Sequence, residues 1–170
     1  MFKSKMFYGT ILAAAVLAFT PAAQAKVFSI PGTDAIATVD VPESWEPNET
    51  DDGVELNSED GTIYMSIDSV KADNVANAVS DKVLLLTKQG LVIDETTKQT
   101  SDSEQNGLKL HSFHYKGKDD DGPTNFGINL VDTGVPNTFL LLAFWANDEA
   151  LVANEKTLNA ITNSVLLTKH

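Results

Sequence analysis

The first candidate for catalysis in this sequence is the Asp-Thr-Gly triplet at residues 132–134, which follows an apolar stretch. Aspartic proteases present a catalytic carboxylate in such a triplet, but they need two carboxylates that share one proton. One triplet per chain would require a homodimer, and no glycine-containing apolar stretch follows to wrap under the catalytic loop. Gly134, Pro136 and Asn137 instead favour turns. The sequence therefore predicts a turn, with an aspartic hydrolase acting through Asp132 as the alternative.

The second candidate is an acidic run, Asp119, Asp120 and Asp121, that precedes a glycine. Calcium binds about six to eight oxygen ligands. Adjacent acids on one loop alternate in direction, so these three cannot all converge on one ion. The acids at residues 51–52 and 59–60 could complete a site if the fold gathered their loops. The favoured interpretation is a solvated hairpin tip, and weak calcium binding is the alternative.

Other catalytic or metal-binding patterns are not evident. His111 and His114 are three residues apart in a predicted strand, which places them on opposite faces. Zinc would need further ligands, and the third histidine is the terminal His170. The sequence has no cysteine, no nucleophile-elbow serine and no glycine-rich phosphate loop. We therefore predict a protein that is not an enzyme and that has no catalytic or cofactor-binding residues.

The N-terminal segment has the pattern of a secretory signal peptide. Lys3 and Lys5 precede an apolar run over residues 11–19, and the segment ends in Ala-Gln-Ala at residues 23–25. The apolar run is shorter than the roughly 20 helical residues that span a bilayer. We expect cleavage after Ala25 and a periplasmic product, residues 26–170, that forms one domain and is not inserted in the membrane. A lipid anchor is excluded by the absence of cysteine.

The mature chain is strongly acidic. Two of the 12 lysines lie in the leader, so ten lysines face 24 acids, which gives a net charge of −14. The sequence also has no arginine. Phosphate recognition depends on basic patches and on guanidinium groups. The composition therefore disfavours nucleic acid, nucleotides and anionic membranes, and it allows a basic partner or a cation. Acidity also favours solubility in itself.

Hydropathy periodicity predicts eight strands and two helices. The strands are residues 27–30, 35–41, 53–57, 62–68, 91–98, 108–116, 125–131 and 138–146. Alternation at residues 62–68 is typical of a half-buried antiparallel strand, whereas residues 138–146 are apolar on both faces and should be buried on both. Turns are predicted at Asp60-Gly61 and at Asn106-Gly107.

The two helices are placed by apolar spacing and by capping residues. The first runs from residue 73 to residue 89, with Asp73 or Asn74 as N-cap and a stop at Gly90. The second begins at Asn147 or Asp148, and its apolar side is formed by Leu151, Leu158, Ile161 and Val165. The order of elements is a group of strands, a helix, a second group of strands and a second helix, and hairpin turns join the strands. This order predicts an α+β fold: a mainly antiparallel sheet sandwiched by two helices.

Aromatic residues suggest a binding cleft. Trp45 lies in a turn between two prolines, where a tryptophan is most often a plug at the edge of the core. A cleft beside Trp45, with Tyr64 or Tyr115, and the exposed edges of the sheet are the two predicted ways of binding a partner.

The order of these features resembles the PsbP-like fold and, within it, exported bacterial proteins related to DcrB. The matching stretches are VDVPESWEP, DGVELNSEDGTIYMSI, DNVANAVSDKVLLLTKQG, NGLKLHSFHY, NTFLLLAFWA and ITNSVLL, and VPESW is the most specific. The resemblance covers nearly all of the mature chain. Many DcrB-like proteins are lipoproteins, and this chain departs from them because it has no cysteine.

The resemblance implies an αβα sandwich and a binding function. PsbP proteins support photosystem II, another branch of the fold binds a small GTPase, and the fold has no shared catalytic residues. We therefore expect a non-enzymatic periplasmic module that engages another envelope protein. The alternative is a protein that binds a small molecule or a divalent cation such as calcium. The sequence indicates no oligomeric state.

Overall fold

The computed structural model describes residues 24–168 except residue 106. The predicted leader lies outside the described residues, apart from Gln24 and Ala25. Ala25 is the first residue of strand β1, and the Gln24 carbonyl accepts a 2.9 Å hydrogen bond from the Glu43 backbone N–H. No helix in the described ranges is long and apolar enough to cross a bilayer.

The described residues form ten strands, two α-helices and a short 3-10 helix, Glu43–Trp45. The strands are β1 Ala25–Ile30, β2 Ala37–Pro42, β3 Asn48–Glu49, β4 Gly53–Asn57, β5 Ile63–Lys71, β6 Val92–Gln105, β7 Leu108–Asp119, β8 Gly122–Asp132, β9 Thr138–Ala146 and β10 Leu166–Leu167. The helices are α1 Val75–Lys88 and α2 Asp148–Asn163. Seven strands form one sheet in the order β3-β4-β5-β9-β8-β7-β6, and three form a second in the order β1-β2-β10. The paired strands are antiparallel.

The large sheet carries a hydrophobic core on each face. Strand β9 supplies both, because Leu140 and Leu142 belong to one core while Leu141 and Ala143 belong to the other. The prediction that residues 138–146 are buried on both faces is therefore confirmed. Helix α1 covers one face, and we call this the α1 face. The other face is covered by α2 together with the small sheet, and we call it the α2 face.

The α+β class, the mainly antiparallel sheet and the two helices are confirmed. The covering layers are more complex than one helix on each side, because β1 and β2 contribute much of the core on the α2 face. Phe28, Ile30 and Val39 are among the buried residues of that core. The small sheet follows from the apolar alternation of β2, whose inward residues must be buried against the large sheet.

Helix boundaries follow the predicted capping chemistry. Asn74 caps α1 by accepting a 3.0 Å hydrogen bond from the Asn77 backbone N–H. Asn147 caps α2 by accepting a 2.8 Å bond from the Ala150 backbone N–H. Such bonds satisfy N–H groups that have no partner within the helix. Gly90 has a φ of 103°, a left-handed conformation that suits glycine after a helix.

The short strands β3 and β10 were not predicted, and the largest differences among the predicted strands are the burial of β5 and the length of β6. Strand β5 was predicted to be half-buried, but Ser66 on its second face is fully buried, because α1 lies over that face. Strand β6 was predicted to end at residue 98, and it continues to Gln105. Its pairing shifts between Asp94 and Gln99, so a bulge interrupts the strand, and residues 99–105 then pair with β7. That polar stretch has no strand periodicity, and the pairing partner decides its structure.

Candidate functional site

The three predicted aromatic residues do not share one cleft. Trp45 is 3% exposed and belongs to the core of the α2 face. Tyr115 is also 3% exposed, but it belongs to the core of the α1 face and stacks on Phe126 with ring centroids 5.8 Å apart. Tyr64 is half-buried and lines a separate cleft, together with acidic residues of the β7–β8 turn. The sheet itself separates Trp45 from Tyr115.

Tyr64 stacks on Trp145, a residue that was not predicted to belong to a site. Tyr64 of β5 and Trp145 of β9 are cross-strand partners, with ring centroids 4.5 Å apart and an interplanar angle of 24°. The Tyr64 hydroxyl donates a 2.9 Å hydrogen bond to Glu55 Oε1. Burial and this bond to Glu55 raise the pKa of Tyr64 well above its usual value, so the phenol stays protonated. The pair forms a rigid aromatic wall.

This aromatic wall borders a cleft of about 410 Å³ at one end of the large sheet. The cleft is lined by Asn57, Gly61, Thr62, Tyr64, Asp119, Asp121, Pro123, Thr124, Trp145, Ala146 and Asn147. Thr124 is 4% exposed, and its Oγ1 makes no hydrogen bond with the described residues. Buried hydroxyl groups in native proteins normally have a partner. The cleft therefore combines acids of the β7–β8 tip, the aromatic wall and a buried hydroxyl that has no partner among the described residues.

Two of the three acids that the calcium-binding alternative would use line this cleft. Asp119 Oδ1 accepts bonds from the backbone N–H groups of Asp121 and Gly122, at 3.0 and 3.1 Å, and so shapes the β7–β8 turn. Asp119 and Asp121 line the cleft, and Asp120 is exposed outside it. Within residues 24–168, residue 106 aside, no three acidic or histidine side chains are grouped so that they could hold a metal ion.

The acids at residues 51–52 and 59–60 do not complete a site with this turn. Asp60 Oδ1 accepts hydrogen bonds from the hydroxyls of Ser58 and Thr62, at 2.6 and 2.7 Å, and one from the Thr62 backbone N–H. The bond from Ser58, followed by those from Thr62, lowers the pKa of Asp60 from 3.8 to about 2. Asp60 therefore stabilises the β4–β5 turn.

The two histidines of β7 lie on opposite faces of the sheet, as predicted. His111 pairs in register with Leu130 of the α1-face core, and its Nδ1 lies 2.8 Å from Asp102 Oδ1. His114 lies on the α2 face, with its ring centroid 6.2 Å from that of Phe144. Partial burial there lowers the pKa of His114. His170 lies outside the described residues.

The Asp-Thr-Gly triplet forms the turn between β8 and β9. Asp132 is exposed, and its Oδ1 accepts a 2.9 Å hydrogen bond from the Gly134 backbone N–H. The Thr133 hydroxyl donates a 2.7 Å bond to the Thr138 carbonyl. The interpretation of this triplet as a turn is therefore confirmed. These short-range bonds give each residue of the triplet a structural role.

A buried polar cluster lies between α1 and the sheet. Lys82 Nζ of α1 is 2.9 Å from Asp68 Oδ2 and 2.7 Å from Ser66 Oγ. A serine beside a lysine is a possible nucleophile and base. Ser66 is fully buried, however, and has no exposed surface for a substrate. Hydropathy periodicity does not indicate this cluster, although the position of Lys82 between the apolar Val79 and Leu86 is a signal of a buried partner.

An apolar groove of about 510 Å³ lies between α1 and the β6–β7 hairpin. It is lined by Val75, Ala76, Val79, Ser80, Val83, Leu84, Thr87, Glu95, Lys98, Phe113 and Tyr115. Lys98 Nζ lies 5.3 Å from the ring centroid of Phe113 and 5.8 Å from that of Tyr115. Leu84 of α1, one of these lining residues, is 54% exposed.

Comparisons with known proteins give matches in structure but not in sequence. No protein-family model matches the chain, and no curated protein matches it in sequence. The solution structure of cyanobacterial PsbP (CyanoP) from Synechocystis sp. PCC 6803 matches with a TM-score of 0.59 at 9% identity. That match covers 88% of this chain and 96% of CyanoP. The chain has a PsbP-like fold.

Two further structures share this PsbP-like fold. A crystal structure from Bacteroides thetaiotaomicron VPI-5482 matches 86% of this chain and 50% of its own chain, with a TM-score of 0.57 and 12% identity. The Ran-binding protein Mog1p of Saccharomyces cerevisiae matches with a TM-score of 0.51 and 12% identity, over 86% of this chain and 96% of Mog1p. At these identities the likeness shows the fold alone.

Proposed function

We propose that this chain is an exported, non-enzymatic accessory module that binds another protein of the cell envelope. The scaffold is the α+β, PsbP-like fold. The observation that carries this proposal is the apolar groove between α1 and the β6–β7 hairpin. Mog1p, which shares the fold, is named for binding Ran, so the fold supports recognition of a protein. The proposed kinship with DcrB-related proteins depends on sequence order, above all on VPESW.

The groove has the composition of a recognition surface. Phe113 and Tyr115 lie on its β7 side, and α1 supplies Val79 and Val83. Leu84 also lines the groove, and its 54% exposure leaves apolar surface available there. Contiguous exposed apolar surface on a soluble protein commonly marks a site of interaction. Burial of these side chains by a partner supplies the favourable free energy of binding.

The proposed occupant is an extended segment of a basic envelope protein. Strand β6 ends the large sheet, so among the described strands none pairs with its outer edge. An added strand could bond to that edge while its apolar side chains enter the groove. Asp94, Glu95, Asp102 and Glu104 of β6 give the edge a negative charge that favours lysine or arginine in the partner. The mature net charge of −14 acts in the same direction.

Site-specific photo-crosslinking in living cells tests this proposal. A photoreactive phenylalanine analogue at position 84 should give one discrete adduct with an envelope protein. The matched control is position 152, because Val152 is 77% exposed but belongs to α2 on the other side of the sheet. The adduct from position 84 should be lost when Ser80→Lys and Thr87→Lys are introduced, because both residues are exposed and line the groove, and lysine there repels a basic partner. The yield of the adduct should also fall as ionic strength rises.

Two results would contradict the proposal. The first is the same set of adducts from positions 84 and 152, which indicates nonspecific contact. The second is an adduct from position 84 that survives Ser80→Lys and Thr87→Lys unchanged. Circular dichroism melting shows whether each variant remains folded, which is expected because both substituted side chains are exposed.

Export is a separate part of the proposal and has its own test. The protein, expressed with its own leader, should appear in the periplasmic fraction. The first residue of the purified product should be Lys26. A product that keeps residues 1–25 would contradict cleavage after Ala25.

A small-molecule-binding function is the second candidate, and the cleft beside Tyr64 and Trp145 favours it. The stacked rings, two carboxylates and the unsatisfied hydroxyl of Thr124 meet there. Pockets that combine apolar walls with a few polar groups are the usual form of a ligand site.

A further inference from the structure

The cleft at the end of the sheet contains a polar atom that lacks a partner. Thr124 of β8 is 4% exposed, and its Oγ1 makes no hydrogen bond within the described part of the chain. Burial of a hydroxyl without a partner is unfavourable, so a group that bonds to it would be favoured. Thr124 lies on the same face of β8 as Phe126, whose register partner is Trp145. The hydroxyl is therefore on the side of the aromatic wall.

The charges around the cleft select the charge of the ligand. Asp119 and Asp121 line it, and none of its lining residues is lysine or histidine. Asp119 uses Oδ1 for the turn, whereas the Asp121 carboxylate makes no hydrogen bond to the described residues. The faces of aromatic rings also attract cations. A ligand with a positive charge is therefore favoured over a neutral or an anionic one.

The oxygen atoms of the cleft suit an organic cation better than a metal ion. Calcium needs about six to eight oxygen ligands, and within the described residues no group of three acids or histidines is placed to hold a metal. An ammonium group needs fewer partners, because it presents only N–H donors. Thr124 Oγ1 and the Asp121 carboxylate can accept such donors. Tyr64 and Trp145 offer an apolar surface for an attached carbon chain.

We propose that this cleft binds a primary alkylammonium group, with the ammonium between Asp121 and Thr124 and the alkyl chain along Tyr64 and Trp145. The volume of about 410 Å³ lies in the usual range for small-ligand sites, roughly 300–1,000 Å³. A free diamine and a lysine side chain of a peptide share this chemistry. The inference does not depend on the groove between α1 and the β6–β7 hairpin.

Nuclear magnetic resonance of the two tryptophan indole N–H groups provides the readout. Trp145 lines the cleft, and Trp45 is buried in the core of the α2 face, so Trp45 is an internal control. Titration with 1,5-diaminopentane should shift the Trp145 signal in a saturable way and leave the Trp45 signal unchanged. The neutral isostere 1,5-pentanediol should bind at least about tenfold more weakly, because it cannot pair with a carboxylate.

Two variants and one matched control locate the site. Thr124→Val keeps the shape of the side chain and removes the unsatisfied hydroxyl. It should leave the melting temperature unchanged or raise it, while it weakens binding of the diamine about fivefold or more. Asp121→Asn should weaken binding about tenfold. Asp120→Asn changes the same turn but not the cleft, and should bind like the wild-type protein.

A second titration, with Nα-acetyl-lysine amide, distinguishes a free amine from the lysine side chain of a peptide as the ligand. Tighter binding of this compound than of the diamine identifies a lysine side chain as the ligand, and weaker binding identifies a free amine. Three results would overturn the proposal: no shift of Trp145 with either amine at millimolar concentration, equal shifts with 1,5-pentanediol, or equal effects of Asp120→Asn and Asp121→Asn.

Discussion

Lys82 of α1 and Asp68 of β5 form an ion pair of 2.9 Å beneath the helix, and their side chains are only 9% and 15% exposed. Ser66 completes the cluster, since it accepts a 2.7 Å bond from Lys82 and donates a 2.9 Å bond to Asp68. The hydrogen bonds offset part of the cost of removing two charges from water. The cluster joins the first helix to a strand in the middle of the sheet.

Substitution of Lys82 should destabilise the fold strongly. We expect Lys82→Met to lower the free energy of unfolding by about 3 kcal/mol, because Asp68 becomes an unpaired buried charge. Urea unfolding followed by circular dichroism measures the loss. Lys116→Met is the control, since the pair of Lys116 with Asp148 is 3.4 Å long and 62% and 83% exposed. That change should cost about 0.5 kcal/mol, and equal losses in the two variants would contradict the role of Lys82.

Gly53 should not tolerate a side chain. A Cβ at this position would overlap the backbone carbonyl oxygen of Ile67 on the neighbouring strand β5. The two backbones would have to separate, so Gly53→Ala should cost roughly 2 kcal/mol of stability. Gly32→Ala is the control, because nothing lies within 4 Å of a Cβ there and its φ is not in the left-handed region. Urea unfolding compares the variants, and similar stabilities would refute the clash.

Asp60 should make the stability depend on pH at the acid end. Its pKa in the folded protein is lowered from 3.8 to about 2, so the unfolded chain takes up the proton first as the pH falls. The contribution of Asp60 to the folding stability is therefore present above about pH 4 and is lost toward pH 2. The difference in melting temperature between the wild-type protein and Asp60→Asn should shrink over that range. A constant difference from pH 5 to pH 2 would rule this out.

His114 should make the folding stability depend on pH near neutrality. Partial burial lowers its pKa from the usual 6.5, so the folded state disfavours the protonated ring. The stabilising contribution of His114 is therefore fully present above pH 6.5. It decreases as the pH falls below 6.5, because the unfolded chain binds the proton first. The melting temperature of the wild-type protein should fall relative to that of His114→Gln as the pH is lowered from about 6.5 to about 5. Parallel curves for the two proteins would contradict this.

Calcium should leave the melting temperature unchanged. The described residues contain no group of three acids or histidines that could hold an ion. A ligand of the native state raises the melting temperature by mass action. Melting with millimolar calcium, and with a chelator as the control, measures this. A rise of several degrees that disappears in the double variant Asp120→Asn/Asp121→Asn would instead establish a calcium site at the β7–β8 turn.

Local features of the fold could be predicted from the sequence because they depend on short-range interactions. Asn74 and Asn147 cap helices through bonds to residues three positions away. The turn at Asp132 likewise depends on bonds within a few residues. The apolar character of residues 138–146 on both faces required two covering layers, and the structure provides them. Periodicity and capping chemistry are readable wherever the interacting residues are close in sequence.

The candidate site depended on long-range pairing that periodicity does not encode. Tyr64 meets Trp145 because β5 pairs with β9 rather than with its next neighbour in sequence. Thr124 joins them only because the register of β8 and β9 places Phe126 opposite Trp145. Each of these contacts follows from the packing of all strands and both helices together. Local interactions encoded eight of the strands, the capped starts of both helices and the chemistry of single turns, because the residues involved are close in sequence. Long-range pairing set the full length of β6 and the set of side chains that line the cleft.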